Sequence, residues 1–243
     1  MDNGILLYLL ILLVGALSSF VQRVSGFGSG IVVMMFMPHF MPVHISTPAL
    51  STLFSVGTTS WNAVRYRRHI SFRTILPLLA AALVTIPIAV YFAASVPAAL
   101  FKAILGAVLI LLSVYFLFFE KKVRFRPTTA SGLAMGTVSG TLTGLFSTGG
   151  PPVVLYLTQA LPDKDVYFAT IQFFFALTGI YSTAVRIAGG VIRADILPYA
   201  AVGFIGCLAG NYLGGLVYDR LNPTVFRRVI YIGMIVSGIS MMV

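Results

Sequence analysis

The chain has 243 residues, of which 58% are apolar and 9% are charged, and its mean hydropathy is +0.98. A soluble domain carries about 45–50% apolar and roughly 25% charged residues, so this composition cannot cover a water-facing surface. It excludes a soluble enzyme, a nucleic-acid-binding domain and a disordered linker. The net charge of +10 does not change this, because the basic residues concentrate in short loops, as the positive-inside rule expects of a membrane protein.

Ten apolar segments follow one another along the chain. They occupy residues 5–22, 28–38, 45–64, 74–93, 98–119, 129–146, 149–160, 166–185, 195–217 and 224–243. Eight of them approach the ~20 residues that cross a ~30 Å hydrocarbon core, whereas the second and seventh are too short to cross alone. We therefore predict an all-α polytopic membrane protein with eight to ten membrane segments in one integral membrane domain.

The second half of the chain repeats the pattern of the first. A shift of 120 residues places Gly30 on Gly150 and Thr58 on Thr178, and one further residue of shift places the Ile-Leu-Pro at 75–77 on the Ile-Leu-Pro at 196–198. This predicts two homologous repeats, residues 1–122 and 123–243, each with four long helices and one short half-helix. Such duplicated halves are typical of secondary transporters, whose substrate site lies near the membrane midplane at the repeat interface.

The number of crossings per repeat leaves the relative orientation of the repeats open, since four crossings make them parallel and five make them inverted. The positive-inside rule favours the inverted arrangement. That arrangement places the basic loops at 65–73 and 121–126 inside and leaves Lys102, Arg186 and Arg193 outside. We therefore predict inverted repeats.

A helix break rich in Gly and Ser precedes each short segment. Glycine costs about 1 kcal/mol against alanine inside a helix, and Pro151 and Pro152 supply no backbone donor. At membrane depth, the freed N–H groups are tolerated only where protein or a water-filled cavity satisfies them. Glycine also permits close helix packing, but two breaks at matching positions favour half-helix N-termini that suit an anion. The substrate-binding residues predicted at the breaks are Gln22, Gly28, Ser29, Gly30, Ser147, Thr148, Gly149 and Gly150.

Three further residues complete the predicted site. Arg23 precedes the first break and is either a functional intramembrane charge or a helix-end residue that reaches the membrane interface. Gln172 lies close to where the first repeat has Thr52, and both either line a central cavity or make interhelical hydrogen bonds. The sequence contains no metal-ligand cluster and no nucleotide-binding motif, so we predict no catalytic residue, no metal, no cofactor and no enzyme activity.

Five short motifs carry a family resemblance. They are GFGSGIV at 26–32, TPALST at 47–52, YRRHISFR at 66–73, GTLTG at 140–144 and STGGP at 147–151. In this order and spacing they resemble the TauE/SafE family of sulfite-exporter-like membrane transporters, over nearly the whole chain. Ser29 and Arg23 depart from the family's often more glycine-rich first cluster, and Ser147 with Thr148 interrupts the second.

The resemblance implies transport of small sulfur-containing anions such as sulfite, thiosulfate or organosulfonates, with carboxylates for some members. Half-helix termini and hydroxyl side chains agree with this, because they can bind a compact oxyanion. We expect a multi-pass secondary transporter of the plasma (inner) membrane that works by alternating access. A passive anion channel and a carboxylate transporter are the alternatives. The lipid bilayer and a small anion are the expected partners, without nucleic acid, and a coupling ion (H⁺ or Na⁺) and a homodimer are left open.

Overall fold

A computed structural model describes residues 2–41, 46–119, 126–192, 194–217 and 223–242. Ten α-helices account for most of these residues. They are α1 (Asp2–Ser25), α2 (Ser29–Phe36), α3 (Ser46–Arg65), α4 (Phe72–Ser95), α5 (Ala98–Val114), α6 (Thr129–Phe146), α7 (Gly150–Ala160), α8 (Lys164–Ala188), α9 (Leu197–Val217) and α10 (Pro223–Met242). Most of the predicted basic loop at 121–126, together with Arg193, lies outside the described residues.

The prediction of an all-α membrane protein is confirmed. Each of the ten apolar segments forms a helix close to its predicted ends, and α2 and α7 are short, with 8 and 11 residues. Five helical stretches of the described residues are long and apolar enough to cross a bilayer. They are Gly4–Ser25, Phe72–Ser95, Ala98–Phe118, Lys164–Ala188 and Ala194–Val217.

The long helices pack in pairs that join the two halves of the chain. The most extensive contacts are those of α1 with α9 and of α4 with α6, followed by α3 with α8 and α5 with α10. If α1–α5 are exchanged with α6–α10, the first two pairs map onto each other and the other two onto themselves. The two-repeat organisation, with its boundary after residue 122, stays a prediction.

Glycine allows α6 to approach α4 backbone to backbone. A Cβ atom added to Gly136 would lie 2.7 Å from the Cα atom of Leu78, and one added to Gly140 would lie 2.6 Å from the Cα atom of Ala82. Real Cβ atoms do not come this close to another backbone. Small residues are typical of membrane helix interfaces, where packing has no hydrophobic driving force to support it. The contact between α4 and α6 therefore depends on the absence of side chains at these positions.

Buried aromatic rings anchor both helix breaks. Phe27, in the first break, has its ring centroid 5.7 Å from that of Phe116, which belongs to the π-helical turn Tyr115–Phe119 after α5. Phe146, the last residue of α6, has its ring centroid 4.9 Å from that of Phe101 on α5. An aromatic contact with α5, or with the π-helical turn that follows it, thus fixes the position of each break.

We expect Gly136→Val to destabilise the protein, because the added side chain meets the backbone of α4 rather than a flexible side chain. Overpacking costs about 1–3 kcal/mol in general, and a backbone obstacle places this change at the upper end or above. Thermal unfolding of the purified protein in detergent measures it. Gly4→Val is the matched control, since nothing lies within 4 Å of a Cβ atom there. Equal unfolding temperatures of the two variants would contradict the close approach of α4 and α6.

Candidate functional site

The two helix breaks meet at one pocket. Its empty volume, the open mouth included, is about 490 Å³, and every described residue that lines it is uncharged. Nine of the eleven predicted site residues are brought together in its wall. They are Gln22, Gly28, Ser29, Gly30, Thr52, Ser147, Thr148, Gly149 and Gly150.

The first break depends on glycine in the left-handed backbone region. Gly26 has φ +83° and Gly28, the residue before α2, has φ +100°, values that glycine adopts without steric cost. The first N–H groups of an α-helix have no partner within the helix. In α2 these belong to Ser29, Gly30 and Ile31, all of which line the pocket. The positive end of the α2 dipole therefore lies at the pocket wall.

The second break turns through Ser147, the non-glycine residue with a positive φ (56°) among the described residues. Its N–H donates to the Thr143 carbonyl at 2.9 Å, and the N–H of Thr148 donates to the Leu142 carbonyl at 3.3 Å. These bonds close the end of α6 in the manner of a helix C-cap. Left-handed backbone costs roughly 1–2 kcal/mol for a residue with a Cβ atom, so contacts of Ser147 must hold it there.

The Ser147 side chain ties the second break to α3. Its Oγ atom lies 2.8 Å from the Pro48 carbonyl oxygen and 2.7 Å from the Thr52 hydroxyl, which lies 2.9 Å from the same carbonyl. Two hydroxyl protons serve these three contacts. One hydroxyl therefore donates to the carbonyl and the other to its neighbour, which leaves neither proton for a ligand. Ser147 and Thr52 thus shape the pocket in this conformation rather than donate into it.

Thr148 has a different environment, although it also lines the pocket. Its side chain is 2% exposed, and its hydroxyl has no hydrogen-bond partner among the described residues. The side-chain oxygen of Gln22, which is 5% exposed, also lacks a partner there. Buried polar groups are nearly always hydrogen-bonded, so unpaired ones beside a pocket indicate a place for water or a ligand.

The second half-helix offers fewer backbone donors than the first. Helix α7 begins Gly150-Pro151-Pro152, and the two prolines carry no N–H. Proline is well placed in a first helical turn, where the N–H groups have no helical partner in any case. The first turn of α7 therefore contributes the Gly150 N–H, against three such groups from α2.

The two breaks contact each other directly. A Cβ atom on Gly30 would overlap the carbonyl oxygen of Ser147, and a Cβ atom on Gly150 would lie 3.2 Å from the Cδ2 atom of Phe27. Ser147 and Phe27 are counterparts under the 120-residue shift. Each half-helix therefore begins against the corresponding point of the opposite break.

Arg23 and Gln172 are not brought into the pocket wall. Arg23 lies in a separate surface pocket, with its guanidinium carbon 5.6 Å from the ring centroid of Phe168, as expected of a helix-end residue. Gln172 is fully buried, and its Nε2 atom donates to the Gly26 carbonyl at 3.3 Å. Gln172 thus bonds from α8 to the turn of the first break, and it does not line the pocket.

Six lining residues were not predicted from the sequence. They are Ile31, Ser55, Thr143, Phe175, Thr178 and Gly179. Thr178 carried a signal, because it matches Thr58 in the repeat comparison. Ile31 and Thr143 also carried one, because they lie within the motifs at 26–32 and 140–144. Ser55, Phe175 and Gly179 carried none, since their presence in the wall depends on which face α3 and α8 turn towards the breaks.

A buried guanidinium lies beside the second break. Arg186, in the last turn of α8, is 1% exposed. Its Nη2 atom donates to the carbonyls of Gly144 at 2.7 Å and Thr143 at 3.3 Å, and its Nε atom donates to the Ser182 hydroxyl at 3.3 Å. The inverted arrangement predicted from the positive-inside rule places Arg186 outside the membrane with Lys102 and Arg193. The structure instead places it inside the helix bundle, where the carbonyls at the end of α6 attract a cation.

Comparisons with known proteins identify the family. The family model for the sulfite exporter TauE/SafE matches residues 11–241. The probable sulfite/organosulfonate exporter TauE of Cupriavidus necator is 25% identical over 236 residues, which cover 95% of this chain and 91% of that protein. No solved structure matches the chain. Because the family is one of transporters, enzyme activity is not expected of it. The match extends over nearly the whole sequence, and the chain therefore belongs to the TauE/SafE sulfite exporter family.

Proposed function

We propose that this chain is a secondary transporter that moves sulfite or a small organosulfonate across the plasma (inner) membrane. The anion binds in the pocket between the two helix breaks, and the protein exposes that pocket to each side of the membrane in turn. The observation that carries this proposal is the meeting of two half-helix N-termini at one polar, uncharged pocket.

The donors around the pocket suit a compact oxyanion. Sulfite and sulfonates present three oxygen atoms around one sulfur, and each oxygen accepts hydrogen bonds. The N–H groups of Ser29, Gly30 and Gly150 and the hydroxyl of Thr148 belong to residues that surround the same space. Helix N-termini favour negative charge through their dipoles and free N–H groups. Phe175 and Ile31 supply an apolar part of the wall that an organic substituent can contact.

The contacts between the two breaks support a pocket at the interface of two repeats. Gly30 contacts Ser147 and Gly150 contacts Phe27, so the predicted halves meet at equivalent points. In repeat transporters, alternating access arises when one half moves against the other around a central site. We infer the same motion here, with the two breaks as the contact about which the halves rearrange.

Among the described residues, the pocket wall offers no group that could carry a proton. None of the described residues in its wall is a carboxylate or a histidine. If transport is coupled to H⁺, the proton must therefore travel with the anion or through another part of the protein. No observation favours the channel or the carboxylate transporter, so both are outcomes of the transport test.

We expect purified protein in liposomes to take up radiolabelled sulfite with saturable kinetics. Unlabelled sulfite inside the liposomes should accelerate this uptake several-fold, because the loaded carrier returns faster than the empty one. Methanesulfonate should compete, whereas acetate should not. Uptake that rises linearly with the sulfite concentration, and that is the same with and without sulfite inside the liposomes, would indicate a channel. If the uptake of neither sulfur anion exceeds its uptake by protein-free liposomes, the proposed transport is contradicted.

We expect Gly30→Ala to weaken sulfite transport at least tenfold, and Gly150→Ala to weaken it clearly less. An alanine Cβ atom at position 30 meets a backbone carbonyl and must separate the two breaks. At position 150 it meets the Phe27 and Phe175 rings at 3.2 and 3.5 Å, which can shift by a few tenths of an ångström.

The same liposome assay compares these two variants at equal amounts of reconstituted protein. Elution of each as a single species in size-exclusion chromatography controls for folding. The reverse order of the two effects would show that the contact between Gly30 and Ser147 does not hold the site together.

A further inference from the structure

Arg186 has the greatest volume of the fully buried side chains in the described part of the chain. An ionised group buried without an opposite charge is strongly disfavoured, unless its surroundings supply negative potential. The position of Arg186 therefore calls for a compensating negative charge or dipole nearby.

The groups that bind Arg186 supply only part of this compensation. Its acceptors are two backbone carbonyls, of Thr143 and Gly144, and the Ser182 hydroxyl, all of them neutral. No carboxylate among the described residues forms an ion pair with it. The C-terminal end of α6 carries roughly half a negative charge through its dipole. Among the described residues, the guanidinium is thus left without a formal counter-charge.

The guanidinium is hydrogen-bonded to a residue of the pocket wall without itself lining the pocket. Thr143, whose carbonyl it binds, lines the pocket, and the Thr143 hydroxyl lies against Gly149 of the second break. On α8, Thr178 and Gly179 line the pocket about two helical turns before Arg186. The charge therefore lies on the side of the second break, where prolines at the start of α7 remove backbone donors.

We propose that Arg186 determines the preference of this pocket for anions, and for doubly charged over singly charged ones. It does so as a positioning residue that does not touch the substrate. It holds the end of α6 through the carbonyls of Thr143 and Gly144, and its charge acts across the wall formed by Thr143. The bound anion supplies the counter-charge that the described residues do not. This inference rests on the proposed function, because it assigns the anion to the same pocket.

A purely structural role for Arg186 has a different signature. If the side chain only caps α6, its loss deforms the pocket and weakens the binding of every anion by a similar factor. An electrostatic role acts in proportion to ligand charge, since the Coulomb energy is a product of the two charges. The ratio of affinities for a dianion and a monoanion of similar shape therefore separates the two roles.

The sharpest variant leaves Arg186 in place and neutralises its charge. Ser182 is fully buried one turn before Arg186 and accepts a hydrogen bond from its Nε atom. Ser182→Asp places a carboxylate beside the guanidinium without removing the bonds to α6. Ser182→Asn is the matched control, because its amide has nearly the same shape and no charge. Calorimetric titration of the purified full-length chain with sulfate and with methanesulfonate measures binding of the two nearly isosteric anions.

We expect Ser182→Asp to weaken methanesulfonate binding about tenfold and sulfate binding about a hundredfold, since the lost energy doubles with ligand charge. Ser182→Asn should keep the wild-type ratio of the two affinities. Arg186→Lys should keep most of the preference for sulfate over methanesulfonate, and Arg186→Met should abolish it. These two variants test the electrostatic role if Ser182→Asp does not fold.

The electrostatic role would be overturned if Ser182→Asp weakened the binding of both anions by the same factor. It would also be overturned if Arg186→Met kept the wild-type ratio of the sulfate and methanesulfonate affinities. Either result would leave the proposed function intact. A wild-type protein that binds sulfate, methanesulfonate and sulfite no better than chloride would instead remove the proposed site, and this inference with it.

Discussion

The pocket exists because a broken membrane helix must satisfy its backbone inside the protein. In hydrocarbon, each unpaired N–H group costs several kcal/mol, so the breaks before α2 and α7 cannot face lipid. The structure places them against each other, with Gly30 on the Ser147 carbonyl and Gly150 on the Phe27 ring. The space that remains between them is lined by helix starts and hydroxyl groups. A requirement of backbone hydrogen bonding thus produces a polar pocket in a chain with few charged residues.

This origin explains how an uncharged wall can belong to an anion transporter. Partial charges from helix termini attract an anion without the strong ion pair that a lining arginine would form. A carrier must release its substrate on the far side, and an ion pair at contact distance would oppose that release. Arg186 bonds to the end of α6 without itself lining the pocket, so its charge can raise affinity without direct contact. In the proposed mechanism, Arg186 attracts the anion from a distance, and the residues of the pocket wall recognise it by contact.

The sequence predicts the helices and the two breaks well because both signals are local. Hydropathy over about 20 residues reflects the thickness of the bilayer, and clustered Gly, Ser and Pro reflect what a broken helix requires. The sequence does not reveal which face of α6 or α8 meets the breaks, because this depends on packing between distant segments. Arg23 and Arg186 illustrate the limit, since both are arginines near the end of an apolar helix. One is partly exposed over Phe168, and the other is buried against the carbonyls of α6.

In the proposed mechanism, both halves of the chain enclose one anion. Ser55 and Thr143 are half-buried wall residues, one from each predicted repeat, and Cys207 is buried, so single cysteines at 55 and 143 report on the pocket. The rate at which each introduced cysteine reacts with a maleimide is measured once with methanesulfonate and once with chloride present. The comparison shows whether the bound anion covers both positions. We predict that methanesulfonate slows labelling at both positions, while a cysteine at exposed Ser95 reacts at an unchanged rate. Protection at one position only, or at neither while methanesulfonate still binds, would contradict a shared site.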